Sequence, residues 1–275
     1  MNLNRPSRWT LRGITWFGLL FLYMPLFVVA ALSFNKAGST LWPPRGLTLG
    51  WWRTAWHTEA PRNALWTSVR VALMATGLAL VLGTLAAFGM TRFRFFGRSA
   101  VSYLMVLPIA LPGIVTAVAL RNTFVRRIDL GFWSFKVGFG IHSIVIAHAT
   151  FCVVVAYNNV VARLRRSSAN LLEASADLGA NGFRTFWSVT FPLARSALVA
   201  GGLLAFALSF DEIVVTSYTS APGIETLPQW IFNNYGRSKS LPLVNVMASF
   251  VMMVSIPLAW LAQRLGDGNE VFAGR

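Results

Sequence analysis

The stretch Leu172-Glu173-Ala174-Ser175-Ala176-Asp177-Leu178-Gly179-Ala180-Asn181-Gly182-Phe183-Arg184-Thr185-Phe186-Trp187-Ser188-Val189-Thr190-Phe191-Pro192 lies between two strongly apolar segments and is too patterned to be a plain turn. Its chemistry reads as two short amphipathic helices joined at Gly179. Asn170 or Ser168 caps the first helix, and Gly179 suits the left-handed residue that ends it. Glu173 stands three residues after Asn170, where a carboxylate reinforces a helix start. Pro192 marks the point where irregular chain gives way to the next apolar helix.

The flanking apolar segments set the class. Hydrophobic residues make up 55% of the 275 positions and charged residues only 12%, with a mean hydropathy of +0.58. Soluble domains carry roughly 25% charge, so an ordinary soluble domain is excluded. Apolar runs of about twenty residues, the length that crosses a hydrocarbon layer, cover 14–34, 64–90, 100–120, 141–162, 194–218 and 244–265. The expectation is an all-α integral membrane protein of about six transmembrane helices. A single transmembrane domain over 1–275 is expected, with the polar loop 168–192 exposed on one side. The first run is too long for a signal-peptide core and has no small-residue cleavage site, so it reads as retained.

A net charge of +15 would point to nucleic acid in a soluble protein. Here the arginines crowd membrane edges, and no basic-aromatic platform supports nucleic-acid binding. Arg5, Arg8 and Arg12, then Arg92, Arg94 and Arg98, then Arg163, Arg165, Arg166, Arg184 and Arg195 fall on one side when the N-terminus is inside. The positive-inside rule therefore puts both termini, and the loop at Glu173, in the cytoplasm. Membrane lipid is the surrounding partner. Between the first two runs, Leu49, Trp52 and Trp56 follow Thr48 at helical spacing, which reads as a short interfacial helix. A second short helix is expected from Leu227, capped by Thr226 and stopped at Gly236.

Inside the spans a few residues are out of place. Asp211 and Glu212 sit in the fifth run, where an ionisable group is costly unless it meets water or a partner. On a continuous helix, Ser209, Glu212 and Thr216 share one face and Asp211 another, about 100° away. One acid can pair with Arg70 of the second span, leaving the other free for a cationic solute; carboxylates alone suit any amine. Pro108, Pro112 and Gly113 loosen the third span, as an ordinary kink or as a flexing point. Asn158 and Asn159 read as interhelical hydrogen bonds. Cys152 is a small packing residue, and the lone cysteine and three histidines offer no metal-ligand spacing. No G-x-x-x-x-G-K-[ST] phosphate loop and no hydrolytic triad spacing occur, so the chain is read as no enzyme and holds no metal or cofactor of its own.

Glu173-Ala174-Ser175, Gly179, Val189 and Phe191-Pro192 resemble the cytoplasmic E-A-A…G…I-x-L-P loop of ABC-importer permeases. Ser175, Val189 and Phe191 depart mildly from it. The runs LPIALPGIVTAVAL (107–120) and ALSFDEIVVTSYTS (207–220) resemble the spermidine/putrescine branch of that family. The resemblance implies a type I importer permease (MetI-like) fold in a bacterial inner membrane. It implies that Glu173, Ala174, Ser175, Asp177, Gly179 and Pro192 form a coupling helix docked on a dimer of nucleotide-binding subunits, which hold ATP and Mg. A second permease, related but different, and a periplasmic or extracellular solute-binding protein complete the assembly. The solute implied is a polyamine, passing Asp211, Glu212, Ser209 and Thr216. An importer for another solute, or a secondary transporter that needs no ATP, remains the alternative. The latter predicts internal repeats and broken helices at matching positions, and the sequence displays no convincing repeat.

Overall fold

The computed structural model describes residues 5–39, 42–93, 95–129, 131, 134–166 and 170–267. Arg94 and Ser168 lie outside them, and so do the side chains of Arg5 and Asn170. The chain runs α1 (Arg5–Leu32), α2 (Gly50–His57), α3 (Glu59–Arg92), α4 (Arg98–Ala110), α5 (Gly113–Val125) and the hairpin β1 (Ile128–Asp129) and β2 (Ser134–Phe135). It continues through α6 (Ile141–Arg166), α7 (Asn170–Asp177), α8 (Gly182–Thr185), a π-helical turn (Phe186–Thr190) and α9 (Phe191–Phe210). It ends with α10 (Val214–Thr219), α11 (Leu227–Asn234) and α12 (Leu241–Asp267). In the hairpin, Ile128 opposes Phe135 and Asp129 opposes Ser134.

Each of the six expected runs is helical in the main, but 100–120 is split between α4 and α5 and 194–218 between α9 and α10. By length and composition, four described helices are able to cross a membrane, Ser7–Leu32, Glu59–Arg92, Ile141–Arg166 and Gly182–Phe210. The count becomes five if α4 and α5, bent by 103° at their junction, form one span. The described apolar part of α12, Leu241–Pro257, is shorter. The third span therefore does more than kink. Pro108 stays inside α4, whereas Leu111 is extended (φ −80°, ψ 144°) ahead of Pro112. That is the conformation a residue before proline prefers, and it ends α4.

The chain divides into two compact units. The first comprises 1–62 and 230–258. There Asn35, fully buried, accepts from the Ala37 and Arg45 amides and donates to the Ser39 carbonyl. Its carbonyl takes the Trp51 indole N–H at 3.1 Å. The expected helix after Thr48 is α2: Thr48 Oγ1 accepts from the Gly50 amide at 3.0 Å, and Trp52 stacks on Phe34 with centroids 5.5 Å apart.

The second unit, 63–229 and 259–275, is organised on α6. Ala147, Phe151 and Cys152 of α6 pack with Ala79 of α3, Ala117 and Phe124 of α5, Ala205 of α9 and Val215 of α10. Small residues let the backbones close in. A Cβ on Gly83 would lie 2.9 Å from the Tyr157 nitrogen and the Val153 oxygen of α6. Cys152 is buried as a packing residue, and its Sγ reaches the Ala205 carbonyl at 3.3 Å. The asparagines behave differently from expectation. Asn159 Nδ2 donates to Val155 of its own helix, and Asn158 is exposed; opposite Asn159, α9 presents Gly201, which has no side chain to offer.

Two caps also differ. Thr226 Oγ1 is buried without a partner; the Leu227 amide at the start of α11 instead donates to Ser68 Oγ of α3, at 2.7 Å. Pro192 follows no irregular chain. It sits in the first turn of α9, and α8, the π turn and α9 run on as one helix, Gly182–Phe210. A proline supplies no amide and crowds the preceding turn. The wider turn accommodates it, with the Phe191 N–H reaching back five residues to the Phe186 carbonyl.

Candidate coupling elbow and acidic helix break

The elbow folds through local backbone chemistry. The Ala180 amide donates to the Ser175 carbonyl and the Gly179 amide to the Ala176 carbonyl, at 3.1 and 2.8 Å. This is the paired closure of a helix on a left-handed residue, and Gly179 has φ +76°. Two residues on, Asn181 Oδ1 accepts from the Arg184 amide at 2.9 Å and starts α8. The chain thus turns a corner between two capped helices. The corner is braced from within: Ser175 and Thr185, 8% and 4% exposed, share a hydroxyl–hydroxyl bond of 3.0 Å. Glu173, Ala174 and Asp177 are exposed, as are Leu171, Leu178 and Phe183. Leu178, at 88% exposure, is an apolar side chain on an otherwise wet corner. Behind it, Phe183, Phe186, Trp187 and Phe191 form a chain of ring contacts that reaches Phe88 of α3.

The acids do not lie on a continuous helix. α9 closes with the Asp211 amide on the Ala207 carbonyl, Glu212 and Ile213 are non-helical, and α10 begins at Val214. The shared face expected of Ser209, Glu212 and Thr216 is therefore broken. Glu212 caps the new helix: its Oε1 accepts from the Val215 amide at 2.9 Å, and its carbonyl accepts from Thr216 Oγ1 at 2.8 Å. Asp211 is exposed, and Glu212 is partly exposed. Arg70 is exposed on α3, and no ion pair joins it to either acid among the described residues. Twenty residues of α9 rise about 30 Å, so the break stands roughly one hydrocarbon thickness from the elbow.

Ser209 and Thr216 face inward. Ser209 Oγ lies 2.8 Å from Nδ1 of His148, and Thr216 Oγ1 lies 2.9 Å from its Nε2. His148, on α6, is fully buried. The sequence gives no cue to this contact, because its partners are 61 and 68 residues away and histidine spacing looks only for metal ligands. Asn181 and Thr185 were likewise unmarked. Asn181, between two glycines at the end of a helical run, carried the cap signal.

Residues 79–268, which contain both elbow and break, match the family described as binding-protein-dependent transport system inner membrane component. The chain belongs to this family. The permease is 34% identical over 267 residues to a spermidine/putrescine transport system permease protein, PotC, of Haemophilus influenzae, covering 96% of the chain and 99% of that relative. To the putrescine transport system permease protein PotI of Escherichia coli it is 32% identical, covering 86% and 83%. To PotC of the same species it is 31% identical, covering 88% of each. The fold is shared with a bacterial ABC transporter that imports alginate (TM-score 0.68, 15% identity, 96% and 99% covered). A complex of such a transporter with its alginate-bound periplasmic protein gives a TM-score of 0.73 at 15% identity, covering 94% and 92%. The permease is thus a mostly helical, membrane-embedded transport component rather than the ATP-hydrolysing one.

Proposed function

We propose that the permease imports polyamines such as putrescine or spermidine across a bacterial inner membrane, driven by ATP hydrolysis in partner subunits. The observation that carries this reading is the pair Asp211 and Glu212 at a break in an apolar span, in a chain aligned almost end to end with polyamine permeases. Carboxylates in such a place suit a cation that has shed part of its water. Arg70 is a counter-charge on the same side of the mechanism rather than a fixed partner.

The elbow is the coupling element. Its exposed Glu173, Ala174, Asp177, Leu171 and Leu178 meet a nucleotide-binding dimer that holds ATP and Mg, on the cytoplasmic side with both termini. A second, related permease completes the pathway, and an external solute-binding protein delivers the polyamine. A corner capped at Gly179 and Asn181 and braced by Ser175 and Thr185 transmits displacement without folding up. Closure of the motor subunits then favours one arrangement of the spans over the other by differential contact energy.

The test is uptake of labelled putrescine by vesicles holding the permease, its partner permease and the nucleotide-binding subunits, with binding protein supplied outside. ATP-dependent uptake is expected, and Asp211→Asn with Glu212→Gln should reduce it while ATP hydrolysis continues. Uptake that proceeds without ATP or without the nucleotide-binding subunits would overturn the reading.

A further inference from the structure

His148 bridges the acidic break. No backbone ladder joins α9 to α10 between the Asp211–Ala207 bond and the Ser217–Ile213 bond. One imidazole spans the gap by side-chain bonds, to Ser209 in the last turn of α9 and to Thr216 in the first turn of α10. The proton positions follow from the acceptors. Thr216 has a single hydroxyl hydrogen and directs it to the Glu212 carbonyl, 2.8 Å away. The assignment consistent with that bond has Nε2 donating to Thr216 and Nδ1 of the neutral ring accepting from the Ser209 hydroxyl. The chain of bonds runs Ser209, His148, Thr216, Glu212, and Glu212 is gripped a second time at Oε1 by the Val215 amide.

We infer that His148 is a positioning residue for solute passage: it sets the place of the Glu212 carboxylate by clamping α10 to α9 across the break. The inference rests on the reading that Asp211 and Glu212 face the passing cation. A buried polar side chain within apolar spans is otherwise a poor choice, since an aliphatic residue would fill the space without needing two partners. Packing alone also gives no reason for both ring nitrogens to meet opposite sides of one gap. The Asp211 carboxylate, with no hydrogen-bond or ion-pair partner among the described residues, is left outside the clamp.

The test uses the complete transporter in vesicles, in a Cys152→Ala background that carries Ile213→Cys as a reporter. His148→Leu should raise the rate of thiol labelling at 213 several-fold. It should lower putrescine taken up per ATP hydrolysed roughly tenfold, the scale of a lost hydrogen bond, while binding-protein-stimulated ATP hydrolysis keeps its rate. His148→Gln, whose amide offers a donor NH2 group and an acceptor carbonyl, should restore much of both. Unchanged labelling and unchanged uptake per ATP in His148→Leu would overturn the inference. So would equal loss of uptake and hydrolysis with no rescue by Gln, which is the mark of a space-filling residue. Should His148→Leu not assemble, Ser209→Ala decides: faster labelling supports the clamp and unchanged labelling overturns it. Unaltered uptake per ATP in Asp211→Asn/Glu212→Gln would instead sink the pathway reading, and the labelling arm would still judge the clamp.

Discussion

At Gly83 the backbones of α3 and α6 come into close approach. A methyl group there meets backbone atoms of Val153 and Tyr157 at 2.9 Å, and backbone has nowhere to go. Gly83→Ala should cost about 1–3 kcal/mol and lower the melting temperature of the purified complex. Gly89, on the same helix with nothing within 4 Å, provides the control: Gly89→Ala should be neutral or stabilising by roughly 0.5–1 kcal/mol. Equal effects at both positions would argue against the close approach. Gly179 poses the opposite case, open space but φ +76°. Gly179→Ala should therefore bring strain of about 1 kcal/mol without a clash, and Gly179→Asn less, because asparagine tolerates that conformation. Binding-protein-stimulated ATP hydrolysis, falling further in Ala than in Asn, is the measurement. The role of Gly179 is visible in the sequence because it is local. That of Gly83 is not, because its neighbours come from a helix about seventy residues further on.

Among the elements, the elbow was the most legible and the interrupted spans the least. Gly179, Gly182 and Asn181 spell out the corner with little help from elsewhere, whereas Pro192 falls inside the helix that follows. The interruption at Pro112 was readable as a weak point, but proline announces a disturbance and not its angle. The one at Asp211–Ile213 carries neither glycine nor proline and is bridged by a single side chain of α6, His148. Hydropathy alone joined its two pieces into one run. Ser68 in place of Thr226 repeats the lesson, since the cap arrives from a residue 159 positions away. The bond between Ser175 and Thr185 lends itself to a double-mutant cycle. Ser175→Ala and Thr185→Val should each loosen the corner by about 1 kcal/mol, and the double variant should lose less than the sum, leaving a coupling of roughly 0.5–1.5 kcal/mol. Additive losses, read from the denaturation of the assembled complex, would show that the two hydroxyls act separately.

For the whole molecule, orientation decides whether the elbow can meet an ATP-driven partner. Leu178→Cys in the Cys152→Ala background should react with a membrane-impermeant thiol reagent in inverted vesicles and stay protected in right-side-out ones. The reverse pattern would place the corner on the wrong face and remove the coupling role. The composition made membrane embedding plain, and the loop motif made the family plain. Neither revealed that two spans are interrupted, one at the extended Leu111 before Pro112 and one beside His148 of α6.

The π turn before α9 inserts one residue into the helix that carries the elbow. Removing a single residue between Phe186 and Thr190 should let the segment wind as ordinary α-helix, at the cost of rotating everything upstream by about 100° around the axis of α9. Such a variant would keep its spans and lose its alignment with the motor, like a key cut correctly but turned a quarter-turn in the hand. Intact assembly with abolished uptake is the expected result, and normal uptake would mean that the extra residue sets no angle.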